Sequence, residues 1–481
     1  MAHVLKDMQP LRVLLLASAA CACAADQSGR TISDEVDEVS LDGSDWRFEL
    51  DDVADGGAGE GLRPGQEWYM PAHPHPADAI RVPGSWGAQG FGNKTAAYRH
   101  AWSGVGWYYR NLSVPASWCA STSHSTAGSD GSRRSSSKIE LTIGGIMRRG
   151  RAWIDGVQLG TEHIGYLDEW NIEIEDDILC GNSSEKPGIR HDGSTVLNKR
   201  LAVRVDNRAN HSDGDCFSGC LDLRGMEAVL QVADEHTPVG MEWGGIWDHV
   251  SLRRWHPNSV SDLFVYPADP YLVVWGVSSV DLMVNISLRE PATASTTVQV
   301  SISQDLPTAS DGTPARDSSM HAHVVAVGAV VVPAAAEAAQ LKLTVNSPNL
   351  WSPDTPAMYR ATASWGSGRV LNTSVSFGIK HLTTAGPTLR LNGAALYIHG
   401  VGDDFTYMET EAPPLDKELY RTRLLTFKRF GFNFIRLHSH FEASEYMAAA
   451  AEVGILLSPA LPMGAKNGSS HCARLDLAEG I

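Results

Sequence analysis

The sequence predicts a multidomain protein of the β plus α/β class, in which two β-sandwiches precede a segment of alternating strands and helices. Between residues 39 and 380, apolar residues repeatedly alternate with polar ones, which is typical of half-buried strands. After Thr384 the apolar spacing becomes that of strands separated by helices. The chain has 481 residues, of which 43% are hydrophobic, and this is enough for roughly three domains with their own cores.

The first sandwich is predicted within residues 26–257. Ile139, Leu141 and Ile143 alternate with polar residues, and other runs in this region repeat that pattern. Many such strands separated by Gly and Pro turns favour a β-sandwich of the jelly-roll type. Residues 117–137 are rich in Ser, Gly and Arg and are expected to form a long surface loop between two strands.

The second sandwich is predicted within residues 258–380. Leu282, Val284, Ile286 and Leu288 alternate with polar residues, and similar runs follow. A stretch of about 120 residues with this spacing fits an immunoglobulin-like β-sandwich.

Residues 381–481 have a different pattern, with the order strand, helix, strand, helix, strand. The predicted strands are 396–400, 432–437 and 455–458; the predicted helices are one marked by Tyr420, Leu424 and Phe427 that ends at Gly431, and one at 442–453 that ends at Gly454. This order is typical of either a parallel barrel or a doubly wound sheet.

The charge balance narrows the classes of partner. Lys and Arg total 39, Asp and Glu total 56, and the net charge is −17, which disfavours nucleic acid and anionic membranes as partners. No interior apolar run reaches about 18 residues, so no membrane span is predicted. Self-association into a homo-oligomer is left open.

Residues 1–25 resemble a secretory signal peptide. Lys6 and Arg12 precede an apolar run at 13–20, and small residues at 21–25 suit a signal peptidase. A buried strand or the start of a helix is the alternative interpretation. The signal predicts a protein that is secreted, or delivered to a vacuole or lysosome, through the secretory pathway.

Sequons for N-glycosylation support that route, because seven of the Asn residues are followed by the X-Ser/Thr pattern. The predicted glycosylation sites are Asn93, Asn111, Asn182, Asn210, Asn285, Asn372 and Asn467.

Seven Cys are present, and two of them lie in the predicted signal. The others are Cys119, Cys180, Cys216, Cys220 and Cys472. Cys216 and Cys220 are the candidates for a short disulfide loop. A zinc site is disfavoured because no second Cys or His pair has ligand spacing, and no metal site is predicted. One Cys must stay unpaired or pair with another chain.

Several short motifs follow one another in a family-specific order. They are RVPGSW at 81–86, GVGWYYR at 104–110, GGIW at 244–247, LWSPDTP at 350–356, LYIHGV at 396–401 and GFNFIRLH at 431–438. In this order the chain resembles glycoside hydrolase family 2, which includes β-galactosidases, β-glucuronidases and β-mannosidases. The resemblance extends over nearly all of the chain after the predicted signal.

The resemblance implies a galactose-binding-like jelly roll, an immunoglobulin-like sandwich and a TIM (β/α)8 barrel. It also implies hydrolysis of the O-glycosyl bonds of β-glycosides with retention, by two glutamates about 5–5.5 Å apart. This mechanism needs no cofactor, and its ligand is a carbohydrate. The family's glutamates lie on the fourth and seventh barrel strands, at the C-terminal face.

The chain holds about three barrel strands, so the resemblance implies an incomplete barrel. We therefore expect both catalytic glutamates to be missing and the chain alone to be inactive, although the family itself favours an enzyme. The alternatives are a non-catalytic carbohydrate-binding or adhesion protein, and an inactive fragment.

The resemblance also indicates sugar-contacting residues. Family members carry an Arg and a His after the second barrel strand, which correspond to Arg436 and to either His438 or His440. Asp404 follows the first strand and is a candidate ligand-binding residue, although the family often has a different loop sequence there. Ordinary polar loops are the alternative at both places.

Overall fold

The computed structural model of the chain describes residues 31–32, 36–51, 60–64, 66–96, 99–102, 104–119, 138–165, 168–180, 188–189, 195–207, 244–256, 258–304, 323–366, 371–403, 407, 409–437 and 442–459. Across these ranges, no helix has both the length and the apolar character needed to cross a bilayer.

In chain order, the strands of these ranges are β1 (Thr31–Ile32), β2 (Val36–Ser40), β3 (Gly43–Asp51), β4 (Ala79–Val82), β5 (Asn93–Ala96), β6 (Arg99–Ala101), β7 (Val105–Pro115), β8 (Lys138–Ile143), β9 (Ile146–Ile154), β10 (Val157–Gly165), β11 (Trp170–Ile174), β12 (Gly188–Ile189), β13 (Thr195–Asp206), β14 (Gly245–Ile246), β15 (Val250–Trp255), β16 (Val260–Pro267), β17 (Ser279–Leu288), β18 (Thr296–Gln304), β19 (His323–Val332), β20 (Ala338–Asn346), β21 (Tyr359–Trp365), β22 (Leu371–Phe377), β23 (Leu382–Ala385), β24 (Thr388–Leu391), β25 (Ala394–Ala395), β26 (Gly400–Asp403), β27 (Phe434–Leu437) and β28 (Leu456–Pro459). The α-helices are α1 (Asp176–Cys180), α2 (Lys417–Arg429) and α3 (Ser444–Val453).

Two sheets form the first sandwich. The larger sheet has the order β10-β9-β13-β7-β3-β4, with β12 beside β13 and β14 beside β9, and the smaller has the order β11-β8-β15-β2. Their pairings are antiparallel. The alternating run at Ile139, Leu141 and Ile143 lies in β8, and all three side chains are buried in the core between the sheets.

Large aromatic rings fill this core. Trp46, Phe48, Trp86 and Tyr108 are fully buried, and the ring centroids of Phe48 and Tyr108 are 4.8 Å apart. Gly106 of β7 faces these rings, since a Cβ there would lie 2.7 Å from the Phe48 ring. The rings therefore require a residue without a side chain at position 106.

The two sandwiches meet at a buried carboxylate. Glu140 of β8 is 3% exposed and accepts hydrogen bonds from the Trp255 indole and from Arg289 of the second sandwich. The Arg289 guanidinium also lies 4.3 Å from the centroid of the Trp255 ring. Because a buried carboxylate is unfavourable without partners, this contact ties the two sandwiches together.

The second sandwich has a sheet of order β1-β22-β21-β18-β19 and another of order β16-β17-β20. In β17 the even-numbered residues from Val280 to Leu288 are buried and the odd-numbered ones are half-buried, as the sequence pattern predicts. The N-terminal strands divide between the sandwiches, because β1 pairs with β22 while β2 pairs with β15.

A parallel sheet of order β26-β27-β28 follows the small antiparallel sheet β23-β24-β25. Helices α2 and α3 connect its strands, and Gly454 ends α3 with a left-handed backbone (φ 85°), as the sequence predicts. The predicted first strand at 396–400 is wrong by about four residues. Leu396 still bonds to Leu389 of the preceding sheet, and β26 begins only at Gly400.

Trp351 holds the parallel sheet against the second sandwich. Its indole Nε1 donates to the Ala451 carbonyl of α3 at 2.8 Å, and its ring packs with Met358, Leu391 and Leu456. Its backbone carbonyl accepts from the Asn392 amide at 3.0 Å. The Trp351 side chain thus contacts the second sandwich, the parallel sheet with its helix α3, and strand β24 between them.

A disulfide joins Cys119, just after β7, to Cys180 at the end of α1, across a sequence separation of 61 residues. This pair was not predicted from the sequence. The predicted pair Cys216 and Cys220 lies outside the described residues, as does most of the loop predicted at 117–137.

Candidate active site

The carboxyl ends of the three parallel strands meet at one edge. The register places Gly402, Arg436 and Ser458 side by side, and then Asp403, Leu437 and Pro459. Loops that follow parallel strands leave the sheet at this edge, which is where ligands bind in α/β proteins. The edge is therefore the candidate active site.

Alternation along β27 decides which way Arg436 faces. Ile435 and Leu437 are fully buried against the residues of α2 and α3, including Leu424 and Ala450. Successive strand residues point to opposite faces, so Arg436 lies on the face away from the helices, where it is exposed. Its guanidinium is available for an anionic or hydroxylated ligand.

Asp403, the last residue of β26, faces the helices instead. Its carboxylate is 4% exposed and accepts from Arg423 of α2 at 3.0 Å and from the Tyr446 hydroxyl of α3 at 3.1 Å. Burial and the nearby carboxylates raise the pKa of Tyr446, which keeps this phenol a donor. Asp403 therefore anchors the strand end to both helices.

Removal of the Asp403 carboxylate is expected to destabilise this unit. Asp403→Ala leaves the buried Tyr446 hydroxyl and the Arg423 guanidinium without their acceptor, so we expect a loss of about 2–4 kcal/mol in the free energy of unfolding. The matched control is Glu452→Ala, which breaks a partly exposed pair with Lys417 between the same two helices and should lose at most about 1 kcal/mol. Equal losses in urea unfolding would contradict this assignment.

A hydrogen bond also joins the loops that follow β26 and β27. The Tyr407 hydroxyl donates to Glu442 at 2.5 Å, and the Tyr420 ring lies edge-on to Tyr407 and Tyr446. Burial first, and then the Glu442 carboxylate, raise the pKa of Tyr407. Glu442 is only 7% exposed, and the N-cap of α3 is the neighbouring Ala443.

The first sandwich also reaches this edge. Ser85, which is 1% exposed, donates from its hydroxyl to Glu411 at 2.9 Å. Gln89 fixes the Ser85 loop by donating to the Ser85 carbonyl at 3.1 Å. Trp247 of the same sandwich packs with the apolar residues of α2 and α3. The sandwich therefore forms part of the wall of the candidate site.

Asp248, next to Trp247, lies at this contact. Burial raises the pKa of Asp248 to about 6. The hydrogen bond from the His249 amide lowers this pKa, whereas the charges of Glu445 and Glu169 raise it further. A carboxyl with a higher pKa in the folded state binds its proton more tightly when folded. The contribution of Asp248 to the free energy of unfolding is therefore largest near pH 4 and below, and it is lost as the pH rises through 6.

We expect Asp248→Asn to remove this pH dependence. The variant should gain about 3 kcal/mol of unfolding free energy over wild type at pH 7 and only about 0.5 kcal/mol at pH 4. Asp281→Asn is the control, because Lys342 lowers the pKa of that exposed carboxyl and no gain is expected. Parallel stability curves for wild type and D248N between pH 4 and 7 would refute the assignment.

Of the predicted sugar-contacting residues, Arg436 is at the candidate site. His438, His440 and Asp404 lie outside the described residues. Asp403, the residue before Asp404, is held in a buried ion pair with Arg423. Within the described ranges, no three His, Cys, Asp or Glu side chains are grouped as metal ligands would be.

The predicted glycosylation sites differ in exposure. Asn93 and Asn111 are exposed, whereas Asn285 and Asn372 are half-buried. Asn182, Asn210 and Asn467 lie outside the described part of the chain.

Comparison with known proteins supports the resemblance. Residues 260–380 match the family model for glycosyl hydrolases family 2. No curated protein sequence matches the chain. The predicted resemblance to glycoside hydrolase family 2 is confirmed by this match and by solved structures of that family.

Three solved structures illustrate the shared fold. A glycosyl hydrolase family 2 member from Bacteroides cellulosilyticus DSM 14838 has 18% identity and a TM-score of 0.58, over 87% of this chain and 47% of that chain. Bacteroides uniformis β-glucuronidase 2, covalently bound to cyclophellitol-6-carboxylate aziridine, has 18% identity and a TM-score of 0.58, over 89% and 42%. Bifidobacterium dentium β-glucuronidase, complexed with coumarin-3-O-glucuronide, has 19% identity and a TM-score of 0.61, over 90% and 62%.

The chain thus spans 42–62% of the length of these three structures. Its β-rich, multidomain architecture is similar to theirs, and at 18–19% identity the likeness concerns the fold.

Proposed function

We propose that the protein is a glycoside hydrolase of family 2 type that cleaves β-glycosides with retention. The single observation that supports this most is the parallel sheet beside two sandwiches, with Arg436 on the open face of β27. In this proposal β26, β27 and β28 are the first strands of a TIM barrel. The domains that precede the barrel are the jelly roll at 26–257 and the immunoglobulin-like sandwich at 258–380.

The catalytic carboxylates are proposed to lie outside the described residues. The buried carboxylates at the candidate site already have other partners: Asp403 binds Arg423 and Tyr446, Glu411 accepts from Ser85, and Glu442 accepts from Tyr407. A nucleophile and an acid about 5–5.5 Å apart would act on the anomeric carbon and the leaving oxygen from two other positions.

We further propose that the protein follows the secretory pathway, with residues 1–25 as its signal. The Cys119–Cys180 disulfide supports this route, because disulfides persist in oxidising compartments. The seven sequons are proposed glycosylation sites within the same route, with Asn93 and Asn111 the most accessible of those described.

Aryl β-glycosides test the activity. The protein expressed from its whole coding sequence should hydrolyse at least one 4-methylumbelliferyl β-glycoside of galactose, glucuronic acid or mannose, and proton NMR should detect the β-anomer as first product. A covalent cyclophellitol aziridine should label a single peptide. First release of the α-anomer would contradict retention. Sugar binding without any turnover would favour the alternative, a non-catalytic carbohydrate-binding protein.

Arg436 should matter to this activity. Arg436→Ala is expected to lower kcat/KM by about 10–100-fold, because a charged hydrogen bond to the substrate would be lost. Arg429→Ala, on an exposed position of α2, is the control and should leave kcat/KM unchanged. Unaltered kinetics for R436A would remove this residue from the site.

A further inference from the structure

A short turn in the second sandwich presents aromatic and aliphatic side chains to solvent. It comprises residues 269–277, which connect β16 to β17. The exposed fractions are 78% for Tyr271, 62% for Leu272, 40% for Val274 and 48% for Trp275. Several large apolar side chains exposed within five residues are unusual, and such groups commonly mark an interaction surface.

The turn is held rigidly. Asp269 accepts from the Tyr271 amide at 3.0 Å and caps a 3₁₀ turn at Pro270–Leu272. Val273 is fully buried in the core of the sandwich, and the Trp275 amide donates to the Asn392 carbonyl at 3.2 Å. The backbone that carries the exposed rings is therefore fixed before any ligand arrives, so little backbone entropy is lost on binding.

The groups next to the turn disfavour an anionic ligand. His381 lies edge-on to Tyr271, with ring centroids 5.2 Å apart, and burial lowers the pKa of His381, which keeps it neutral at pH 7. The Asp269 carboxylate, which accepts from the Tyr271 amide, is exposed and repels anions. The net charge of −17 also opposes the docking of a second copy of the chain.

We propose that Tyr271 and Trp275 form an accessory binding site for neutral β-linked oligosaccharides, separate from the candidate active site. The apolar C–H face of a pyranose ring packs on an aromatic face, and exposed, rigid rings offer that surface. The choice of a saccharide rests on the proposed function. The site would hold one part of a polymeric substrate while another part of the same polymer is cleaved at the active site.

Calorimetric titration with cellohexaose, β-1,4-mannohexaose and β-1,4-galactohexaose tests the proposal. Wild type should bind at least one, and Tyr271→Ala and Trp275→Ala should each weaken binding about tenfold, while oligogalacturonate should not bind. Tyr397→Ala removes a tyrosine that is 82% exposed elsewhere and should leave the affinity unchanged. In wild type, the bound hexasaccharide should also shift the Trp fluorescence, and this shift should be absent in W275A.

Two further readouts separate this site from the active site. Arg436→Ala should keep its affinity for the hexasaccharide, and W275A should keep wild-type turnover of small aryl glycosides. Hydrolysis without hexasaccharide binding would overturn the accessory site alone, and hexasaccharide binding without hydrolysis would overturn the proposed activity alone. Unchanged affinity in both Y271A and W275A would overturn the accessory site. So would a dimer in sedimentation that W275A dissociates, because a second copy would then be the occupant.

Discussion

Trp351→Ala is expected to lower the free energy of unfolding by about 3–5 kcal/mol, because it empties a buried site where three structural units meet. The side chain is 2% exposed, and its loss also leaves the Ala451 carbonyl without the indole donor. The Lys380 ammonium, 4.9 Å from the ring centroid, loses its aromatic partner as well. Chemical unfolding monitored by fluorescence measures this loss.

Trp275→Ala is the matched control, since it removes the same side chain at a position that is 48% exposed. We expect it to change stability by no more than about 0.5 kcal/mol. If both variants unfold at the same denaturant concentration, the Trp351 ring is not what holds the parallel sheet to the second sandwich.

Replacement of both Cys119 and Cys180 by serine is expected to lower stability by about 4 kcal/mol. The disulfide closes a chain segment of 61 residues, and its main effect is to restrict the unfolded chain. In thermal unfolding this loss corresponds to roughly 8–16 °C in the transition of the first sandwich.

Reductant provides the comparison for this variant. Wild type in dithiothreitol should unfold at the temperature of the oxidised double variant, apart from any contribution of other disulfides. A remaining effect of dithiothreitol on the double variant would support the predicted Cys216–Cys220 loop. Wild type that unfolds at the same temperature with and without reductant would show that the Cys119–Cys180 bond contributes nothing.

The strands of both sandwiches could be predicted because their side chains alternate between a core and an exposed or half-buried face. β17 is the clearest example, since each buried residue from Val280 to Leu288 is followed by a half-buried one. Helix α2 was equally readable, because Tyr420, Leu424 and Phe427 mark one face and Gly431 follows its end with a left-handed backbone (φ 86°).

The first parallel strand was misplaced for a physical reason. β26 has the sequence Gly-Val-Gly-Asp, and its glycines lie on the face away from the helices, so it lacks an apolar run. Leu396 and Ile398 are apolar because they pack beside Trp351 and Leu391, not because they form a strand. The apolar residues therefore indicated where the side chains pack, but they did not indicate which residues form the strand.

The contacts that shape the candidate site could not be predicted from spacing at all. Ser85 and Glu411 are 326 residues apart in the chain, and Asp403 meets Tyr446 only after both helices have packed. Arg436 was found by its resemblance to a family motif, whereas the buried carboxylates resemble ordinary loop residues in the sequence. The Cys119–Cys180 pair likewise depends on tertiary structure, because its separation carries no local signal.

The pairing of β1 with β22 has a consequence for the order in which the protein assembles during translation. Ile32 pairs with Thr373, which is 341 residues later in the chain. At the usual rate of about 5–20 residues per second, the ribosome reaches Thr373 roughly 17–70 s after Ile32. β1 is therefore one of the first strands to be synthesised and among the last to dock. Until β22 has been synthesised, the edge of β1 can pair with other nascent chains.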